Sequence, residues 1–484
     1  MLLRDLLNNY EKRQLQALDL LLRRPYTTSQ LCQALHVSRD TVKEDLIQLK
    51  AYEKTVNAKI SMEKINGYYH IKSFGKLSNT EINHYFLQHS LSYEILIYIL
   101  LHGEYQLDIM STDLNTSVAT VIRKIRQLNQ ILKEFELTIA GGKVHGTELQ
   151  IRYFYYLLIW YSKDYQQKKE LYLGYSGNLI QQLRVDLNFV LSEQEEIKQS
   201  IWFYVTKKRF ENRQISDQSV SLEKKYPPKI ITGLESILES HYKNNGIFWD
   251  EQETISYQLF LFVTTEIYEN KDKFLELYQK NIDYLTALKV TNDEVSEKLW
   301  ENLMIQRTSL LKELLDMTIF KINLWGYYFP GFIDIFQYEM KSTSQPVKKR
   351  VDAAMKVVEK RLQIDSQGNG QMMAKYFGAL LENNIKATGF SLTVAYNTGW
   401  DDFITEEKIR NILSSIEWTV NLKIMRYEEG KSFDVILSDS NRDFEGIPSE
   451  RIYILLSLVF GLNVDRQELS QFIKTHYENK LEGV

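Results

Sequence analysis

The sequence predicts a mainly α-helical, multidomain protein, and three observations support this fold class. The chain has 484 residues, which is several times the roughly 100–150 residues of a typical domain, so we expect three to five domains. It contains only six prolines, and long stretches are rich in Leu, Ile, Lys, Glu and Gln, most of which favour helices. Its composition, 44% apolar and 25% charged, is typical of folded protein and argues against extensive disorder.

Several classes of protein are excluded before any motif is considered. The single cysteine, Cys32, excludes a disulfide scaffold and a cysteine-rich zinc site. Asp5 and Glu11 interrupt the apolar start of the chain, so we expect no signal peptide. The most apolar run, residues 153–161, is about half the roughly 20 residues that a membrane helix needs. We therefore expect a cytoplasmic protein without membrane contact, metal or cofactor.

The first winged unit is predicted from three short helices and a hairpin. An apolar stripe that stops at a proline predicts the first helix: Leu15, Leu18, Leu21, Leu22 and Pro25. Thr28 or Ser29 is the expected cap of the second helix, and Ser38 is the expected cap of the third. Asn66-Gly67 then lies between two strand-like segments, as in a β-hairpin. Three helices followed by a hairpin are typical of a winged helix-turn-helix.

A shift of the sequence by 79 residues reveals a second copy of this pattern. The matched positions are apolar residues at helical spacing, a cap and a turn glycine: Leu18 and Ile97, Leu21 and Leu100, Leu35 and Leu114, Ser38 and Ser117, Thr41 and Thr120, Val42 and Val121, Leu46 and Ile125, Leu49 and Leu128, Ile60 and Ile139, Gly67 and Gly146. A shared fold constrains these positions, so the repeat predicts tandem winged units.

The third helix of each unit is the expected DNA-reading element, because such a helix lies in the major groove with its first turns nearest the bases. In the first unit we predict DNA contacts from Ser38, Arg39, Thr41, Lys43 and Lys50. In the second unit we predict them from Ser117, Thr120, Arg123, Lys124 and Arg126, with Lys143 and His145 in the wing. Two alternatives stay open: each basic residue could belong to an ordinary solvated face, and the first unit could be a packing module.

The charge distribution favours the second unit as the main source of phosphate attraction. Asp40, Glu44 and Asp45 offset the basic residues of the first recognition helix, whereas no acidic residue follows Ser117 until Glu134. Residues 1–160 carry 19 Lys and Arg against 16 Asp and Glu, although the whole chain has a net charge of −4. The basic surface is therefore expected at the N-terminal end.

Two helical blocks without a catalytic motif are predicted for the middle of the chain, at about 171–284 and 291–384. The first is broken at Pro227-Pro228, and the second contains breaks at Pro330-Gly331, 341–346 and 367–371. The aromatic residues of both blocks are expected in cores rather than in a ligand cage: Trp202, Phe203, Tyr204, Phe260, Phe262, Trp325, Tyr327 and Tyr328. His241 is the only histidine between His145 and His476, and a lone histidine is usually structural or on the surface.

A small α/β domain is predicted at the C-terminal end. Strands are expected at 390–396, 418–425 and 433–437, helices at 405–415 and 468–477, and an apolar segment at 451–460. The loop 397–401 contains one glycine, which is a weak signal for phosphate binding. The domain contains no cysteine, so a cysteine nucleophile is excluded there.

This order of domains resembles the Mga family of virulence and metabolism regulators, which includes the AtxA-type activators. The resemblance rests on the tandem segments SRDTVKEDLIQL and SVATVIRKIRQL, at residues 38–49 and 117–128, on the two helical blocks and on the α/β end. It implies five domains: winged units at 1–78 and 79–164, regulatory domains of the PRD type at 165–286 and 287–386, and an EIIB-like domain at 387–484.

The resemblance also implies partners and a regulatory input. It implies control of promoter DNA, often A·T-rich or bent, by a homodimer that forms through the C-terminal domain. It further implies modulation by phosphocarrier proteins of the sugar phosphotransferase system, with His241 as the possible phosphorylation site. The second helical block contains no histidine, and the loop at 397–401 lacks the cysteine of an EIIB enzyme. An RNA-binding antiterminator or a phosphotransferase enzyme is the alternative function, but the helical start and the missing catalytic residues count against both.

Overall fold

The computed structural model divides into two compact units. The first contains Met1–Tyr284 and Leu324–Tyr338, and the second contains Leu285–Asn323 and Glu339–Val484. The residues described are 3–55, 60–73, 79–212, 231–267, 269–280, 286–301, 303, 309–332, 344–365, 368–397, 413, 420–438, 444, 446–454 and 463–483. The mainly helical, multidomain fold class is confirmed, whereas the five predicted domain boundaries stay predictions.

The first winged unit has the predicted order of elements. After a short turn at Leu3–Leu6 come helices Asn9–Arg23, Thr28–Leu35 and Arg39–Thr55, and an antiparallel sheet of Tyr26–Thr27, Tyr68–Ser73 and Ile60–Ile65. Leu18, Leu31 and Val42 are buried where the three helices meet. The predicted cap of the second helix is wrong by one residue: the Thr27 hydroxyl accepts from the Gln30 backbone N–H, and Gln30 returns a bond to the Thr27 N–H. This reciprocal pair satisfies two free donors of the helix start.

The second winged unit repeats the first in its backbone as well as in its apolar pattern. A linker helix, Asn79–Gln88, precedes helices Leu91–His102, Leu107–Asp113 and Val118–Leu132 and the strand pair Thr138–Ala140 and Lys143–His145. The turns before the two recognition helices contain His36 and Asn115, 79 residues apart, and both have a left-handed backbone. The following residues also match, because Val37 N–H donates to Cys32 and Thr116 N–H donates to Ser111. The predicted tandem repeat is therefore confirmed.

The repeat does not extend into the wing. The second hairpin turns at Gly141-Gly142, so the prediction that Gly146 is the equivalent of the wing glycine Gly67 is wrong. Gly67 turns between six-residue strands, whereas the second wing has strands of three residues. The first strand of the second wing begins at Thr138, next to the equivalent of Ile60, so its turn comes earlier in the chain only because the strand is shorter.

The rest of the first unit is a helical bundle. It contains helices Glu148–Ser162, Tyr165–Tyr172, Leu179–Val185, Glu193–Glu211, Leu234–Asn244, Glu251–Thr264 and Lys271–Lys280, and a 3-10 turn at Leu173–Ser176. The predicted aromatic core is confirmed for Trp202, Phe203, Phe260, Phe262 and Tyr328, which are buried, whereas Tyr204, Trp325 and Tyr327 are half-buried. The break at Pro227-Pro228 lies outside the described residues.

A buried charge network ties the second winged unit to this bundle. Arg152, which is 1% exposed, donates from Nη1 and Nη2 to the two carboxylate oxygens of Glu253 at 2.6 and 2.8 Å. Its Nε donates to Glu148, which also accepts from Arg209. Burial alone would raise the pKa of Glu148, but Arg152 and Arg209 lower it below its ordinary value. Buried charges of this kind are tolerated because each has an oppositely charged partner.

The second unit combines helices with a parallel sheet. Its helices are Thr286–Trp300, Gln345–Leu362, Asn369–Ala387 and Asn463–Glu482, and it contains the start of Ser309–Tyr328. The sheet has the strand order Leu422–Arg426, Leu392–Asn397, Val435–Ser438 and Ile452–Ile454, with all pairs parallel. The predicted α/β end is therefore confirmed as a fold. The predicted helix at 405–415, apart from Leu413, and most of the loop at 397–401 lie outside the described residues.

We expect Glu253→Gln to lower the free energy of unfolding by about 3 kcal/mol, because it removes the charge that compensates the buried Arg152 guanidinium. The Tyr242 hydroxyl, which donates to Glu253, also loses its charged acceptor. Urea unfolding followed by circular dichroism measures the change. Glu239→Gln, at an exposed position, is the matched control and should stay within about 0.5 kcal/mol of the wild type. Equal stabilities for the two variants would contradict the role given to the network.

Candidate nucleic-acid interface

The two recognition helices begin with the same arrangement of hydroxyl groups. The Ser38 and Thr41 hydroxyls lie 2.9 Å apart, and Ser38 Oγ accepts from the Thr41 N–H at 3.2 Å. Ser117 and Thr120 show the same two distances. Ser38 and Ser117 are exposed, so each helix start presents a hydroxyl beside backbone N–H groups. Such a helix start can hold a phosphate or another anion.

The second recognition helix exposes two arginines on one side. Val121, Ile125 and Leu128 are buried on one side, which leaves Arg123 and Arg126 exposed on the other. Within the described part of the chain, no carboxylate forms an ion pair with either guanidinium. Gln127 and Gln130 share this exposed side, and their amides can bind phosphates or base edges. The sequence prediction missed these glutamines, although their helical spacing from Arg123 and Arg126 was visible.

The first recognition helix exposes a balanced set of charges. Arg39, Lys43 and Lys50 are exposed as predicted, but Lys43 Nζ lies 3.0 Å from an Asp40 carboxylate oxygen. Thr41 is half-buried beneath Ser38, and Glu44 is exposed. This surface therefore carries less unpaired positive charge than that of the second helix.

Asp45 is buried, which corrects the interpretation that it offsets the basic residues on the exposed side of the first recognition helix. Its carboxylate is 3% exposed and accepts from Nε and Nη2 of Arg13 at 2.5 and 3.0 Å. The side chain therefore joins the first helix to the recognition helix instead of repelling DNA. The pKa of Arg13 is raised because its guanidinium bonds to this carboxylate.

Lys124 is the one predicted contact residue that the structure removes from the surface. It stands 79 residues after Asp45, and like Asp45 it is buried on the inner side of its helix. Its ammonium donates to the Asn8 side-chain oxygen at the start of helix Asn9–Arg23. Burial lowers the pKa of Lys124. The prediction of an exposed Lys124 is therefore wrong, since the residue lies within the apolar stripe that begins at Val121.

The wing residues are available only in part. Lys143 is half-buried and forms an ion pair with Glu104, so its charge is already compensated. His145 is exposed, and its Nε2 lies 2.9 Å from the Ala140 carbonyl oxygen. In the longer first wing, Lys72 pairs with Glu63 at 3.1 Å, and the Lys64 ammonium lies over the Tyr69 ring. Among the described residues of the second winged unit, the exposed positive charge that forms no ion pair is thus concentrated on the recognition helix.

His241 lies inside the helical bundle rather than on a surface. It is 7% exposed, and its ring packs edge-on against Phe203 with a centroid distance of 4.6 Å. Its ring carbon Cε1 lies 3.8 Å from the position that a Cβ at Gly177 would occupy. Burial lowers the pKa of His241 to about 4, so the imidazole is neutral at physiological pH.

Comparison with known proteins agrees with the geometry of the second winged unit. Residues 75–159 match the family model described as the Mga helix-turn-helix domain. The predicted resemblance to the Mga family is thereby confirmed for this region, which contains the helix with Arg123 and Arg126.

The chain is also similar to a protein of Streptococcus pneumoniae serotype 4 named "Putative trans-acting regulator". The two are 28% identical over 177 residues, which cover 33% of this chain and 34% of the relative. The chain thus spans about a third of the length of the curated relative that it matches. Separately, none of the helices in the described residues combines the length and apolarity needed to cross a bilayer.

The lowered pKa of His241 should make the free energy of unfolding depend on pH. Because the pKa of His241 falls from 6.5 to about 4 in the fold, the unfolded chain binds its proton first as the pH decreases. The stabilisation that depends on neutral His241 is therefore complete above pH 6.5 and is lost progressively towards pH 4, to a total on the order of 3 kcal/mol. We expect His241→Gln to flatten this part of the curve of unfolding free energy against pH. A curve of unchanged slope would show that another group titrates there.

Proposed function

We propose that this chain, with an Mga helix-turn-helix domain at residues 75–159, is a DNA-binding transcription regulator without catalytic activity. The observation that carries the proposal is the exposed side of the helix Val118–Leu132, where two exposed arginines follow a hydroxyl-capped helix start. Cationic side chains on such a helix bind the phosphates of duplex DNA and position the helix in the major groove. The partner is double-stranded DNA, and the compartment is the cytoplasm.

The two winged units contribute unequally to this binding. In the second winged unit, Arg123 and Arg126 supply exposed positive charge, whereas in the first winged unit Asp40 compensates Lys43. We therefore assign most of the phosphate attraction to the second unit. Arg39, Lys50 and Ser38 give the first unit a weaker contact of the same kind. His145 and, after release from Glu104, Lys143 add contacts from the second wing.

The finer parts of the proposal concern DNA shape, assembly and regulation. By resemblance to the Mga family, the target is promoter DNA that is A·T-rich or bent, and the active form is a homodimer joined through the C-terminal α/β domain. The parallel sheet of that domain fits the EIIB-like fold that the resemblance implies. The regulatory input is a phosphocarrier protein of the sugar phosphotransferase system, with His241 as the acceptor.

The burial of His241 limits how such an input would work. The neutral imidazole carries the free electron pair that attacks a phosphoryl group, but its buried ring cannot reach a carrier protein in this conformation. Phosphoryl transfer therefore requires helix Leu234–Asn244 to move away from Phe203. The added negative charge would then oppose the return of the helix to its apolar site.

Replacement of Arg123 and Arg126 by alanine tests the DNA contact. The double variant should bind every duplex about tenfold or more weakly, and the slope of log affinity against log salt should decrease by about 2, because two phosphate contacts are lost. Fluorescence anisotropy of labelled duplex DNA over a range of salt concentrations measures both quantities.

Lys124→Met is the matched control, because it removes a positive charge from the buried side of the same helix. It should leave the salt slope unchanged, whatever its effect on stability. If the double arginine variant kept the affinity and slope of the wild type, the second recognition helix would not be the DNA contact.

Phosphorylation has a separate test. A phosphocarrier protein supplied with phosphoenolpyruvate and its kinase should place an acid-labile phosphate on His241, and mass spectrometry at neutral pH should locate it there. His241→Ala should abolish this label. Label on another residue, or no label on the wild type, would contradict the regulatory part of the proposal and leave the DNA-binding part standing.

A further inference from the structure

Residues 325–331, here called the hook, contact the second winged unit at the turn that follows its recognition helix. The hook is the end of helix Ser309–Tyr328 with the Pro330-Gly331 turn that follows it, and it belongs to the first compact unit. It is far from the winged unit in sequence, yet it contacts Phe135, Gln150 and Tyr153. Phe135 lies in the short turn immediately after the helix that carries Arg123 and Arg126.

The hook is held by two side-chain hydrogen bonds. The Gln150 amide donates to the Pro330 carbonyl at 2.7 Å and to the Phe135 carbonyl at 3.2 Å, so one buried group joins the hook to the turn that follows the recognition helix. The Trp325 indole N–H donates to the Tyr153 hydroxyl at 2.7 Å. Gln150 is buried. Loss of either carbonyl would therefore leave its amide with fewer hydrogen bonds and no water to replace them, which lowers stability.

Close packing makes the hook sensitive to small changes. A Cβ at Gly331 would lie 2.3 Å from the Phe135 ring, which shows that the glycine backbone rests directly on the ring. Phe135 is fully buried and also packs edge-on against Phe154 at 5.0 Å. Tyr153 packs against Phe329 with a centroid distance of 4.6 Å. An interface packed this densely shifts as a unit, because it has no free space to absorb a displacement.

We propose that the hook is a positioning element, which holds the turn after the second recognition helix, and with it the end of that helix, in the place that DNA binding requires. A shift of the hook moves Phe135 and the Gln150 bridge, and with them the end of the helix Val118–Leu132. This inference rests on the DNA-binding function proposed above.

Gly331→Ala displaces the hook by a steric clash with the Phe135 ring. The full-length chain is first used to enrich a duplex from a random DNA pool, and that duplex is then the probe for all variants. We expect Gly331→Ala to weaken binding by about fivefold or more, the lower range of known couplings between sites. Hydrogen exchange of the amides at residues 133–137 should accelerate in parallel.

Gly246→Ala is the matched control. Gly246 also has a positive φ, +68° against +90° for Gly331, but a Cβ there meets no atom within 4 Å. It therefore introduces similar backbone strain without a clash at the hook. The affinity of the Gly246→Ala variant for the duplex should stay within about twofold of that of the wild type. In the Gly331→Ala background, Phe135→Leu makes room for the new methyl group and should restore part of the lost affinity.

The remaining outcomes are also decisive. Wild-type affinity for Gly331→Ala would make the hook a purely structural contact, whether or not the exchange rates change. If Gly331→Ala does not fold, Trp325→Phe, which removes only the indole donor, takes its place under the same criteria. A wild-type chain that enriches no duplex would refute the proposed function itself, whereas hook variants that all bind DNA as tightly as the wild type would refute only the positioning role of the hook.

Discussion

The buried ion network around Arg152 is the constraint on which the rest of the first compact unit depends. Arg152 lies on helix Glu148–Ser162, which starts directly after the second wing and is buried along most of its length. A guanidinium in this environment must keep both Glu253 and Glu148 as partners, because an unpaired buried charge is strongly destabilising. The helix is therefore held in one position relative to the bundle, and the winged unit attached to it is held as well.

The same helix contacts two different parts of the chain because successive residues point in different directions around a helix axis. Arg152 reaches the bundle through Glu253, whereas Gln150 and Tyr153 reach the hook through Pro330 and Trp325. The recognition helix with Arg123 and Arg126 meets this assembly at Phe135. Its exposed side can thus present charge to a ligand while its end is anchored in a dense core.

The repeat explains the distribution of charge between the two winged units. Asp45 and Lys124 occupy equivalent positions and face inward, where Asp45 binds Arg13 and Lys124 binds Asn8. Neither contributes to the outer surface, although both are charged. The outer positions differ instead, since Glu44 in the first unit corresponds to Arg123 in the second, and the exposed Ile47 corresponds to Arg126. A duplicated fold with unequal outer surfaces is consistent with unequal roles.

Local pattern in the sequence by itself determined most of the described helices, the two matched helix-turn-helix segments, the strands of the C-terminal α/β part and the exposed Arg123 and Arg126. These features follow from residue spacing within one or two turns, which the 3.6-residue and two-residue periods express directly. Even the burial of Lys124 had a signal, since it falls within the stripe of Val121, Ile125 and Leu128. Only the tertiary structure decided the partners of Asp45, Lys124, Arg152 and Gln150, and the turn of the second wing at Gly141-Gly142. Those contacts join residues that are distant in the chain, and their selection depends on packing and desolvation in the folded core rather than on any local period.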